Sequence, residues 1–183
     1  MKRSLAISIV FILTHSFAEA QNVFICKNGT ASFFSSAPLE DIEALNNGVN
    51  SILNISNQEI AFIVPIRGFK FEKDLMQEHF NEKYMESDKF PQATFKGKIL
   101  DTLNWSSAGI YNVSATGIMN IHGVEKEKTL KGKLEVKNQE FTIESSFKVA
   151  VAEFGISIPK LLFQNIADTV SVNVKAHYLP YKK

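Results

Sequence analysis

Apolar and polar residues alternate with period two through most of this chain, and that pattern leaves little choice of fold. Tyr111, Val113, Ala115, Gly117, Met119 and Ile121 fall on one face of an extended segment, with Asn112, Ser114, Thr116 and Asn120 on the other. The same alternation runs through residues 130–136, 141–149 and 170–178, and more briefly through 94–99. Successive side chains of a strand point to opposite faces, so each segment buries one face and wets the other. Residues 60–66 are apolar on both faces, and weaker strand signals lie at 23–26, 30–35 and 49–55. The count is about eight strands at regular spacing, joined as an antiparallel meander, which predicts a sandwich or a closed barrel.

One helix interrupts the strands, over residues 74–85. Asp74 with Gln77 reads as a capping-box pair, and Met76, Phe80 and Tyr84 share one helical face. Ser87, Asp88 and Pro91 end it. A second helical turn is expected at 159–166, where Pro159 is preset for the first position. Both read as covers over an open end or an edge of the sheet.

The first twenty residues stand apart from this pattern. Lys2 and Arg3 precede an apolar run at 5–13, and Ala18-Glu19-Ala20 forms a small-residue cleavage site. Together they predict a signal peptide cleaved near Ala20, hence an exported protein, periplasmic or secreted, with one domain over 21–183. Cys26, the chain's one cysteine, has no partner for an internal disulfide and reads as a buried, inert thiol. With 20 Lys+Arg against 19 Asp+Glu, there is no basic excess of the kind a nucleic-acid binder carries.

Small residues recur in the inward phase: Gly97, Ala115, Gly117, Gly132, Ser145 and Ala176. In a barrel they read two ways, as relief where strongly bent strands curve, or as room left in the lumen for an apolar ligand. The inward positions of the five best strands carry no charge. Catalytic patterns are missing: there is no G-x-S-x-G elbow, phosphate loop or Cys-His arrangement. His122 reads as a turn residue, and His79 lacks a second ligand four residues on, where Lys83 stands, so neither a metal nor a cofactor is expected. Lys126, Lys128, Lys131, Lys133 and Lys137 read as a solvated face, with a transient contact to anionic headgroups as the second reading.

Several separated motifs then resemble one family. Residues 76–98, MQEHFNEKYMESDKFPQATFKGK, pair a helical His with an acidic-Ser-x-x-aromatic-Pro turn and a Phe-containing strand. Residues 117–126, GIMNIHGVEK, run a small-residue strand into an Ile-His-Gly-Val turn. APLEDIEA at 37–44 and FGISIP at 154–159 follow the same order. The chain resembles the YceI-like family of exported lipid-binding barrels, especially the versions found in Bacteroidetes. It departs from the more widespread members in reading Met76-Gln77-Glu78-His79-Phe80 where they have an Arg-Asp-x-His-Leu type stretch, and in lacking a Trp in its opening strand.

The resemblance implies a lipocalin-like, eight-stranded antiparallel β-barrel with one or two short covering helices. Its lumen would hold a long-chain isoprenoid or another apolar lipid. Phe95, Tyr111, Val113, Met119, Leu130, Leu134, Ile143, Phe147, Val172 and Val174 would line the tunnel, with His79, Tyr84 and His122 at its mouth. The expected function is a non-enzymatic carrier or sequestering protein. A barrel filled by its own side chains and serving as an interaction module is the second reading. An enzyme using His122 or His79 is the third.

Overall fold

Eight antiparallel strands curl into one closed sheet in the computed structural model, which describes residues 22–36, 40–158 and 167–181. The strands are β1 (Val23–Ser35), β2 (Ile42–Asn54), β3 (Glu59–Pro65), β4 (Lys70–Phe71), β5 (Gln92–Ile99), β6 (Gly109–Ile121), β7 (Val124–Lys137), β8 (Glu140–Ala150) and β9 (Thr169–Pro180). The two-residue β4 is the extra one: it pairs with the first half of β2 through Ala44 and Leu45 and takes no part in the circuit. The other eight run in the order β1, β9, β8, β7, β6, β5, β3, β2, and pairing of β1 with β2 closes the barrel. Closure gives each of the eight circuit strands a partner on both sides, where an open sheet would leave two edge strands.

The predicted alternation holds on every strand of the meander. The two weak signals at 23–26 and 30–35 are one strand, β1, whose register against β2 slips between Cys26 and Gly29 and again between Gly29 and Ala31. Such a bulge breaks the period and sharpens the bend, which is why the sequence pattern fades there. Cys26 is buried, as its lone occurrence suggested.

The covering helix is α1 (Asp74–His79), continued by a π-helical turn, Phe80–Tyr84. Its predicted capping box does not form: the N-cap is Lys73, and no side chain caps it. Lys73 instead extends its ammonium to Glu40 in an ion pair, and Asp74 is already helical, its charge beside the positive end of the helix. The turn expected at 159–166, like the leader at 1–20, lies outside the described residues.

Two clusters hold the molecule together. At one end of the barrel Phe24 meets Phe141 edge-on at 4.6 Å, and Trp105 meets the same ring at 5.4 Å. Tyr178, Leu53, Leu134 and Val136 fill the space around them, all buried. Each such side chain contributes about 2 kcal/mol through burial. At the other end Ala31, Ala44, Val49 and Phe69 pack with Phe33, Phe71 and Phe80, so that α1 is fastened to the wall through aromatic contacts. Buried Asn46 supports this corner by donating to Pro65 O at 2.7 Å and accepting from Gly48 N at 2.8 Å.

Candidate functional site: the lumen and its mouth

A cavity of about 610 Å³ occupies the half of the barrel beneath α1. Its size falls within the range of about 300–1,000 Å³ usual for small-molecule sites. Of the side chains placed in the lumen from sequence, Phe95, Val113, Met119, Leu130, Ile143, Phe147, Val172 and Val174 border it. The helical face is placed as its period predicted, with Met76, Phe80 and Tyr84 all on the cavity.

Two of the side chains assigned to the lumen, Tyr111 and Leu134, do not border the cavity. Val113, Gly132, Ser145, Val174 and Ala31 stand opposite one another across β6, β7, β8, β9 and β1, and all border the cavity. The next inward row is Tyr111, Leu134, Ile143 and Ala176, of which only Ile143 borders it. Leu134 is fully buried below the floor, and Tyr111 turns its hydroxyl to Ser107 O at 2.9 Å. Both point inward, as expected, but at a level where the barrel is solid.

His122 is likewise placed away from the cavity. It lies in the β6–β7 turn with φ of 53°, beside Gly123 at 74°, and does not border the cavity. Its ring packs on Phe90 at 4.5 Å. Nε2 is 3.0 Å from Glu86 Oε2 and Nδ1 is 3.3 Å from Phe154 O. The residue therefore ties three segments together on the outside of the lumen.

The inward glycines separate the two readings left open by sequence. Gly97 and Gly117 pair across β5 and β6, and neither borders the cavity. A Cβ on Gly117 would lie 2.2 Å from Lys96 O and 2.4 Å from Gly97 Cα, so here glycine permits a close approach of two strands. Gly132 and Ser145, one register row apart from the solid floor, do border the cavity and leave room in it.

Three residues with charged side chains border the cavity, Glu40, Lys73 and Lys131, and Lys131 belongs to the outward, exposed phase of β7, with its carbonyl turned to Ser145. Glu40 and Lys73 border the cavity where β1 ends and β2 begins, and they pair with each other. His79 and Tyr84 sit on the cavity side of the cover, and burial pushes the Tyr84 phenol above its ordinary range. Deeper in, the inward-facing lining is hydrocarbon and aromatic apart from the Ser145 hydroxyl, which donates to Lys131 O at 2.7 Å. Sequence reasoning missed several wall residues. Phe33 and Phe62 sat in weak or two-faced strand signals, and Phe69 and Phe71 lay in a stretch with no period.

The profile of the YceI-like domain matches residues 27–178. Comparison with curated proteins finds no match. Among solved structures, a polyisoprenoid binding domain from Saccharophagus degradans, implicated in plant cell wall breakdown, is 14% identical with a TM-score of 0.72, over 88% of this chain and 100% of that one. BcnA of Burkholderia cenocepacia is 14% identical with a TM-score of 0.68, over 82% and 96%. The YCEI protein of Campylobacter jejuni is 14% identical with a TM-score of 0.56, over 100% of both chains. At such identity the likeness is one of fold.

Proposed function

The chain belongs to the YceI-like family, and on that premise we propose that it is an exported, non-enzymatic carrier or sequestering protein that holds a long apolar lipid tail, isoprenoid, quinone-like or fatty, in its barrel. The observation that carries this reading is the distribution of polarity in the cavity. Glu40 and Lys73 stand together at one rim, Lys131 borders the cavity from the outward phase of β7, and the inward-facing wall and floor are mainly hydrocarbon and aromatic. A tail leaving water for such a lining gains about 0.8 kcal/mol per buried methylene. A polar head would stay near Lys73, Glu40, His79 and Tyr84, so the lipid would enter tail first.

The likeness in fold to a polyisoprenoid binding domain of Saccharophagus degradans supports the same ligand class. The charged leader, apolar run and cleavage site support export, and no helix among the described residues is long and apolar enough to cross a membrane. Within the family we assign the chain to the Bacteroidetes-type members on the motifs at 76–98 and 117–126 alone. The open cavity weighs against the filled interaction module, whose own side chains would occupy that space.

The test is extraction. The full chain, expressed with export and purified natively, is extracted with organic solvent and the extract analysed by mass spectrometry. A stoichiometric lipid is the expected result. A blank extract, followed by no binding of added isoprenoid, quinone or fatty lipid, overturns the reading in favour of the interaction module.

A further inference from the structure

We propose that the side chains directly under the cavity form a ruler that sets the longest tail the barrel accepts, with Leu134 and Ile143 as the stop and Phe141 as its backing. The inference deepens the carrier reading and rests on it. The lowest row to border the cavity along all its strands is built of small side chains on three of five, Gly132, Ser145 and Ala31. One level down, Ile143 borders the cavity and its cross-strand neighbour Leu134, packed directly beneath, does not, so the space ends at this row. Leu134 is fully buried and Ile143 is 7% exposed.

The stop is rigid because of what lies behind it. Phe141 occupies the following inward position on β8 and is held by Phe24 at 4.6 Å and Trp105 at 5.4 Å. Beside it Tyr178 is anchored by a 2.6 Å hydrogen bond to Ser51. A close-packed aromatic layer does not yield to a methylene pushed against it. Since neither Leu134 nor Ile143 carries charge or polarity, the limit they impose is one of shape. Affinity then rises about fourfold with each added methylene until the tail meets the floor. Further methylenes emerge at the mouth and add little.

The experiment uses delipidated protein and a homologous series of straight-chain primary alcohols, with dissociation constants measured for each length. The wild type is expected to show a rise and then a break. In Leu134→Ala the break moves to tails longer by about three carbons, the number of atoms removed. In Ser145→Leu, which adds bulk into open lumen and leaves the buried floor intact, it moves to shorter tails. This second variant keeps the test valid if Leu134→Ala does not fold. A break that stays at one length in the folded variants overturns the ruler while leaving the carrier reading in place. No binding of any alcohol by the wild type overturns both.

Discussion

The Tyr178 hydroxyl lies 2.6 Å from Ser51 Oγ at the solid end of the barrel, joining residues 127 positions apart. Ser51 Oγ also donates to Ala61 O at 2.7 Å, so β9, β2 and β3 are linked by one polar chain inside an apolar core. Burial holds the Tyr178 phenol far above the ordinary tyrosine range. Below about pH 10 the phenol is protonated in both folded and unfolded chains and stability is unaffected. Above it the unfolded chain ionises while the folded one does not, so stability falls as pH rises, by about 1.4 kcal/mol per pH unit from this residue. Tyr178→Phe should remove that share of the alkaline slope in denaturant titrations; an unchanged slope would refute the assignment.

Glycine at 117 and glycine at 109 predict opposite outcomes on the same strand. A Cβ at Gly117 meets strand backbone at 2.2 Å, whereas at Gly109 its nearest neighbour is the Tyr111 ring at 3.6 Å. Gly117→Ala should destabilise by about 3 kcal/mol or prevent folding, and Gly109→Ala should stay within about 0.5 kcal/mol. Equal thermal shifts for the two would contradict the close approach of β5 and β6.

His122 should matter for stability and hardly at all for ligand. His122→Ala removes the contacts to Glu86, Phe154 O and Phe90, a loss of about 1–2 kcal/mol. Because the residue does not border the cavity, lipid dissociation constants should change less than about twofold, under 0.5 kcal/mol. Thermal unfolding and a binding isotherm on one preparation decide the point, and a tenfold loss of affinity at unchanged stability would place His122 at the ligand after all.

Phe80 is the fastener of the cover. Its ring meets Phe33 at 5.5 Å, Phe69 at 5.6 Å and Phe71 at 5.0 Å. Phe80→Ala should cost about 2–3 kcal/mol and speed amide hydrogen exchange in residues 74–84 ahead of the barrel strands. Exchange that accelerates uniformly would show that the cover and barrel unfold as one unit.

Much of this architecture was legible without coordinates. Alternation on residues 111–121, 130–136, 141–149 and 170–178 determined which side chains face inward, and the i, i+4, i+8 spacing of Met76, Phe80 and Tyr84 determined which face of the helix covers them. Facing is a local property of the backbone, readable from neighbouring residues. The β1 bulge, the β4 stretch and the N-cap at Lys73 escaped because each departs from a period or depends on a partner far away in sequence, such as Glu40 for Lys73.

Depth along the barrel was never in the pattern. Val113 and Tyr111 share a face and a strand, yet one borders the lumen and the other lies in the solid end. The difference comes from what the neighbouring strands bring to each level: Gly132, Ser145 and Ala31 beside Val113, but Leu134 and Ile143 beside Tyr111. That matching is set by strand stagger and by closure of β1 on β2, which join residues far apart in the chain. The alternation was enough for an antiparallel sheet with an apolar inner face, in a sandwich or a closed barrel, and the family resemblance pointed to the barrel. Where that inside is empty follows from the folded chain alone, because space is left by the sum of side chains at one height and by no single strand.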